Sequence, residues 1–388
     1  MKYQTSKFCI QGGSILLPDG GIQETDILIS DGKIDAIGSS PNKTVKKLNA
    51  SGYMVLPGIV DLHGDAFERQ IMPRPGVSFP LTLAFLDTDR QLVANGITTA
   101  YHGITYSWEP GLRGRETVTK VMTALKNVSK RLGADTKCHL RFETFNFAAG
   151  DEVLNWILDR NIDFLAFNNH LPSIRKKIQE NQSLSKFLER SGLEKDAFLQ
   201  LVEKLSEREH ETTKLVEKLA KTARDHSISM ASHDDKTAAT RQFYNSLGCY
   251  ISEFPLTAEA INQAQELGNH IVLGAPNIIR GGSHMGASGL SATESIKAGK
   301  GDIICSDYYY PALMQAPFKL VADKILEFGD SWGMVSKAPA QAAGLVDRGE
   351  IVEGKRADLI LVEELGLGQL DLKATFVNGR MVFQSGCL

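Results

Sequence analysis

The chain has 388 residues, enough for two or three domains or for one large barrel with an accessory piece. Apolar residues make up 42% and charged residues 23%, and Lys+Arg 43 against Asp+Glu 46 leaves a net charge of −3. That balance excludes a nucleic-acid-coating or membrane-surface protein, and no apolar run approaches the ~18–20 residues that span a bilayer.

The first fifty or so residues read as short strands and tight turns: FCIQGGSILL, a turn at Asp19-Gly20-Gly21, then DILISDGKIDAIG around Asp31-Gly32. The N-terminal stretch has no secretory signal pattern. The last forty-five repeat that texture, with Asn378-Gly379 as a turn. Residues 1–52 and 345–388 are therefore expected to form one small β-sandwich from both termini. Residues 53–344 contain eight strand-like runs: MVLPGIVDLH, GITTAYHG, TKCHLRFE, IDFLAFNN, ISMASH, YISEF, IVLGAP and DIICSD. Segments with helical spacing separate most of them, which predicts a (β/α)8 barrel, and no GxGxxG follows the first strand. Between the fourth and fifth runs, residues 172–226 carry an apolar stripe (Phe198, Leu201, Val202, Leu205, then Leu215, Val216, Leu219). The stripe predicts a helical hairpin over the barrel mouth. The cysteines Cys9, Cys138, Cys249, Cys305 and Cys387 are scattered without a CxxC pair, which suits a reducing cytoplasm.

Barrel chemistry sits where strands end. The first run ends in Asp61-Leu62-His63-Gly64-Asp65, the third in Glu143, the fourth in His170, the fifth in His233 and the eighth in Asp307. His63 and Asp65, two apart on an extended chain, reach the same side. Imidazoles and carboxylates converging from separate strands predict a divalent metal centre of one or two ions, with Glu143 able to bridge a pair. Zinc is favoured over manganese or iron. His139, His210, His226 and His270 are expected to be structural or exposed, and His102 faces the mouth if the strand register holds. The loop Gly274-Ala275-Pro276-Asn277-Ile278-Ile279-Arg280-Gly281-Gly282-Ser283-His284 offers glycine amides and a guanidinium fork to phosphate oxygens. Arg69, Arg74, Arg113, Arg115, Arg175, Lys176, Lys177 and Lys236 fall in other mouth loops. Together they point to a small, multiply anionic substrate.

These residues resemble the amidohydrolase superfamily, and within it the alpha-D-ribose 1-methylphosphonate 5-triphosphate diphosphatases of the carbon–phosphorus lyase pathway. The stretches that carry the resemblance are LPGIVDLHGD, PRPGV, NGITT, HLRFE, ASHDD, EFP, GAPNIIRGGSH, DIICSDYYYPAL and GEIVEGKRADLIL. The resemblance implies hydrolysis of a ribosyl triphosphate to the 5-phosphate and pyrophosphate by a metal-activated water. It implies His63, Asp65, Glu143, His170, His233 and Asp307 as metal ligands, Asp307 as catalytic base, and Arg280 with Gly281, Gly282, Ser283 and His284 on the phosphates. Arg74 and His102 join them as substrate contacts. Three loops depart from the family pattern: Gly64 and Ala66 flank Asp65 in place of Thr and Asn, Asn169-His170-Leu171-Pro172-Ser173 follows the fourth strand, and HGITYSWEPGLRG follows the second. C–N hydrolysis of an anionic small molecule is the alternative reaction, and a metal-stabilised scaffold subunit the non-enzymatic one. A homo-oligomer is compatible with the sequence.

Overall fold

The computed structural model describes residues 7–39, 44–283, 286, 289–366 and 369–386. Its N-terminal strands are β1 (Phe8–Leu16), β2 (Ile22–Ser30), β3 (Lys33–Ile37), β4 (Lys46–Asn49) and β5 (Met54–Pro57). The central strands are β6 (Ile59–Gly64), β7 (Ile97–Tyr106), β8 (Asp135–Glu143), β9 (Phe164–Asn168), β10 (Ser229–His233), β11 (Ile251–Glu253), β12 (His270–Gly274) and β13 (Ile303–Cys305). The C-terminal strands are β14 (Leu359–Gly366), β15 (Gln369–Val377) and β16 (Arg380–Gln384).

Both ends of the chain build one sheet in the order β16-β15-β14-β5-β1-β2-β3, with β4 on β1. β14 lies antiparallel to β5, Leu359 opposite Pro57 and Val362 opposite Met54. This sheet therefore runs past residue 52. Its alternating residues (Ile10, Ile15, Ile27, Ile29, Val55, Leu359, Leu361, Phe376) form a separate apolar cluster. Trp332, fully buried, donates its Nε1–H to Pro57 O at 3.0 Å, and Arg348 Nη1 reaches Asp135 Oδ2 at 2.7 Å. These contacts fasten the terminal sheet to the barrel.

All eight expected central runs are strands, parallel and in chain order β6 to β13. Asp307 N–H donates to His63 O and Asp65 N–H to Asp307 O, which bring the end of β13 back beside β6. Both faces of these strands are buried, as parallel sheets require. Inward residues such as Leu62, Tyr101, Phe164, Ala231, Ile251 and Val272 fill the lower barrel. Outward residues such as Leu140, Phe142, Leu165 and Phe167 pack on the surrounding helices.

The predicted hairpin is instead four helices: Leu171–Gln179, Ser185–Ser191, Lys195–Ser206 and Thr212–Asp225. Gly192, at φ 69°, ends the second of them in a left-handed cap. The last one is a barrel helix, since Val216, Leu219, Ala220 and Ala223 share a core with Val153 and Ile157. The other three surround a satellite core of Phe145, Leu171, Ile174, Leu184, Phe198 and Val202, at the rim beside Trp108. Among the described residues no helix is long and apolar enough to cross a membrane.

Candidate active site

The period-2 geometry of β8 places His139, Arg141 and Glu143 on one face, pointing into the barrel. Gly103 on neighbouring β7 makes room for them: a Cβ there would lie 3.2 Å from Arg141 Cδ and 3.5 Å from His63 Nε2. Gly64 is required in the same way. A side chain there would come within 3.0 Å of Asp61 Oδ2, Ser306 Oγ and Tyr310, so Tyr310 fills the space that a larger residue beside Asp65 would need.

Two groups of donors result. At the mouth, His170, His233 and Asp234 have ligand atoms all within 4.8 Å of one another. Asp234 Oδ2 lies 3.5 Å from His170 Nε2, and Asp234 Oδ1 lies 3.3 Å from His233 Nδ1. His233 Nδ1 is buried and makes no hydrogen bond. Glu143 holds His170 from behind through a short Nδ1 contact and accepts the His170 N–H at 3.3 Å. Burial opposes the charge on His170, but Glu143 and Asp234 outweigh it and raise the imidazole to about 9. Burial would likewise raise Asp234, yet the two imidazoles keep it well below the ordinary carboxylate range. Below this group, His63 Nδ1 meets Glu253 Oε1 at 3.2 Å, and His139 Nε2 lies 3.7 Å from Glu253 Oε2. His139 Nδ1–H donates to Leu62 O at 2.9 Å, which fixes its tautomer. Burial drives His139 down to about 3 and His63 well below its ordinary value, so both imidazoles are neutral.

Arg141 stands between the groups. Its Nη1 donates to Asp65 Oδ2 at 2.9 Å and its Nη2 to His233 Nε2 at 3.1 Å. Asp307 faces it from the end of β13, its carboxyl pushed up to about 8 by burial and then by Asp65, with Arg141 opposing. Asp234 and Phe254 follow directly on β10 and β11, and Asp307 lies two residues past β13, with φ of 61°, 52° and 54°. Left-handed backbone at three such positions is the kind of strain that gathers at working sites.

A cavity of about 220 Å³ opens over this arrangement, lined by Arg141, His170, His233, Asp234, Asp307, Asn277, Arg280, Ser283 and Tyr308 among others. The expected residues thus divide. His170, His233, Asp307, Arg280 and Ser283 line the cavity, with Glu143 behind His170. Asp65 is engaged by Arg141, and His63 by Glu253. Gly281 and Gly282 follow the helix Ala275–Arg280, their amides donating to Ile278 O and Asn277 O, so both N–H groups are already engaged in ending that helix. His102 is turned outward between Phe67 and Phe85, 5.3 and 5.6 Å away ring to ring, because β7 runs on to Tyr106 instead of ending at His102. Burial there lowers it to about 4. Arg74 lies exposed in a turn with Val77 and does not line the cavity. His284 lies outside the described residues. Of the other rim cations, Arg113, Arg115 and Arg175 are spent on Glu68, Glu152 and Glu209. The sequence reading missed Arg141, His139, Asp234 and Glu253. The two-residue spacing that linked His63 to Asp65 would have found the first two from Glu143. Asp234 and Glu253 stood in ASHDD and at the end of YISEF.

The chain is 32% identical over 364 residues to the alpha-D-ribose 1-methylphosphonate 5-triphosphate diphosphatase of Escherichia coli (strain K12), covering 92% of this chain and 95% of that one. It belongs to that family. Shorter similarity links it to a dihydroorotase of Pelotomaculum thermopropionicum, 42% identical over 59 residues, 15% of this chain and 14% of that one. No family model matches the chain. Among solved structures, an amidohydrolase superposes with a TM-score of 0.67 at 16% identity, covering 98% of this chain and all of that one (100%). An Xaa-Pro dipeptidase with bound methionine gives 0.67 at 14% identity, covering 98% and 100%. The fold is that of the amidohydrolases, a superfamily of metal-dependent hydrolases. The donor set here fits such a metal: His170, His233 and Asp234 converge at the mouth and His63, His139 and Glu253 below them, each group with its ligand atoms within 4.8 Å of one another.

Proposed function

We propose that this protein hydrolyses a ribosyl 5-triphosphate carrying a phosphonate at C1, leaving the 5-phosphate and releasing pyrophosphate. The observation that carries the reading is one cavity that joins a metal-capable group to two guanidinium groups, Arg141 and Arg280. Its full-length relative is named for this reaction. His170, His233 and Asp234 would hold a divalent cation, zinc by the chemistry of two imidazoles and a carboxylate, with manganese or iron also suited. Such an ion, when bound, supplies Lewis-acid stabilisation of phosphoryl oxygens and lowers the pKa of water. Glu143 orients His170 through its Nδ1, as outer carboxylates do in metal centres. Arg280, with Nη1 3.4 Å from Tyr308 Oη, and Ser283 are placed to hold phosphate oxygens. Asp307 takes the proton as the oxygen of water adds to phosphorus. The bridging oxygen leaves with pyrophosphate, and Arg141 faces the charge that develops. With its carboxyl raised by burial, Asp307 is a stronger base than a solvated aspartate. The reducing cytoplasm suits the buried free thiols of Cys9, Cys138, Cys249 and Cys305.

Phosphorus NMR of a ribosyl 5-triphosphate, with and without the C1 phosphonate, tests the reading on metal-reconstituted protein. Pyrophosphate appearing together with the 5-phosphate supports it. Unchanged triphosphate, from protein that holds its metal, refutes it and moves the assignment to C–N hydrolysis, the reading that the short dihydroorotase similarity favours.

A further inference from the structure

We propose that Arg190 anchors the C1 phosphonate of the substrate, across the barrel mouth from the arginine that holds the triphosphate. The inference deepens the hydrolysis proposed above and rests on it. A ribosyl 5-triphosphate with a phosphonate at C1 is an extended molecule with negative charge at both ends. Arg280 ends the helix that follows β12. Arg190 belongs to the helix Ser185–Ser191, in the insertion after β9, and that helix rests on the loop after β7. Between β7 and β9 lies β8, four places round the eight-stranded barrel from β12. The two guanidinium groups therefore stand on opposite sides of the mouth.

Arg190 is a built-in cation. Its Nε donates to Glu109 Oε1, and its guanidinium lies over the Phe187 ring, 4.9 Å from the centroid. Glu109 is 1% exposed and its Oε2 makes no hydrogen bond, so a buried carboxylate is devoted to orienting this one arginine. Gly111, at φ 82°, lets loop and helix meet, since a Cβ there would lie 2.2 Å from Arg190 O. Asn146 ties the same loop to the end of β8. Its Nδ2–H donates to Ser107 O at 2.9 Å and its N–H to Glu143 O at 2.8 Å. Burial opposes the charge on Glu143 and on Glu68, yet both carboxyls lie below their ordinary range. Arg190 contributes at each, after His170 at the first and after Arg113 and Arg141 at the second. Its field thus reaches the end of β8. Among the described residues no hydrogen bond engages Nη1 or Nη2 of Arg190, whose side chain is 24% exposed. These two groups present a planar edge that matches two phosphonate oxygens. Arg113, by contrast, gives both Nε and Nη2 to Glu68.

Initial rates of metal-reconstituted, full-length protein test the proposal with two substrates, ribosyl 5-triphosphate with and without the C1 phosphonate. Wild type is expected to show a KM about tenfold lower for the phosphonate-bearing one, the effect of one charge-assisted contact. Arg190→Gln should bring the two KM values together, whereas Arg280→Ala should raise both in step and keep their ratio. Arg190→Lys keeps the charge without the fork and should retain only part of the ratio. Adding Glu109→Gln to Arg190→Gln removes the carboxylate that would be stranded, and replaces the single variant if that one fails to fold. Equal KM values in wild type overturn the proposal while leaving the hydrolysis in place, as does a full ratio in either glutamine variant. If neither glutamine variant folds, a full ratio in Arg190→Lys overturns it and a reduced one supports it. No turnover of either substrate refutes the hydrolysis itself, and this inference with it.

Discussion

Replacing Arg241 by Met should destabilise the barrel more than most single substitutions. Arg241 is fully buried between β10 and β11. Its Nη1 donates to Ser232 Oγ at 2.7 Å, Asp235 Oδ2 at 3.2 Å and Ile251 O at 3.2 Å, and its Nη2 donates to Cys249 O. Methionine keeps much of the stem's volume but returns none of these bonds. Asp235, 2% exposed and with Oδ1 already lacking a hydrogen bond, would then rely on the Ser232 hydroxyl alone. Stranding one partner of a buried ion pair costs about 3–5 kcal/mol. Burial already raises the Asp235 carboxyl, and Arg241 is the main group holding it down. Losing that cation raises it further, so the ionised form, which dominates above the folded pKa, is the destabilising one. The deficit should therefore be larger near pH 8 than near pH 5, where protonation relieves it. Urea denaturation followed by the fluorescence of Trp108, Trp156 and Trp332 measures both quantities. Adding Asp235→Asn to Arg241→Met should recover about 1–2 kcal/mol by removing the stranded charge. A loss below about 1 kcal/mol, or a deficit that does not change with pH, would refute the argument.

Three further outcomes follow from the same geometry. Arg280→Ala should raise KM about tenfold, since one charge-assisted hydrogen bond of about 1.5 kcal/mol is lost; initial rates that show a fall in kcat alone would count against a binding role. Removing the metal with chelator should lower the unfolding midpoint, because a ligand present at about a hundred times its Kd stabilises by roughly 2.7 kcal/mol; matching melting curves with and without chelator would contradict a metal centre. His270 meets Asp302 at 2.6 Å and is raised by that hydrogen bond against the opposing effect of burial. A raised folded pKa gives stability that is fully present below the unfolded value of about 6.5 and fades as pH rises through the folded one. His270→Gln should thus be most costly near pH 5.5 and least near pH 8.5 in paired urea titrations, and the reverse order would exclude the linkage.

The barrel was legible because each strand is short, continuously apolar and bounded by helical spacing, and that pattern depends on local sequence alone. The same double burial hid the direction of the side chains. All ten residues of β7 are buried, so the run carries no polar alternation to set its register, and His102 could not be told from an inward neighbour such as Gly103. The insertion failed for a different reason. Its apolar stripe gave the helices Lys195–Ser206 and Thr212–Asp225, but Pro172 and Gly192 cut the preceding stretch into short helices whose core residues, Leu171, Ile174 and Leu184, are too few to show a period. In the loop after β12, glycine was read as a cradle for phosphate. Gly281, at φ 76°, shows the other use of that freedom, since the Gly281 and Gly282 amides are consumed in ending a helix.

What stayed hidden at the site is mostly charge inside the strands. A lone arginine at a strand's penultimate inward position has no local partner, and its neighbours in sequence, Leu140 and Phe142, point the opposite way into the helix layer. Its meaning depends on Asp65, 76 residues away, and His233, 92 residues away. Leaving such a cation buried without them would be prohibitive. The converse holds for Glu253, whose carboxylate is matched to His63 from a distance of 190 residues. Strand ends therefore name the donors, but which donors share an ion and which are already satisfied by a protein cation is fixed only when the strands stand side by side. Among the expected ligands, Asp65 shows the difference most clearly. Read along the chain, it is half of a metal-binding pair with His63. In the barrel it holds Arg141, while His63 meets Glu253 beside His139 in one metal-capable group, and His170, His233 and Asp234 form another across the mouth.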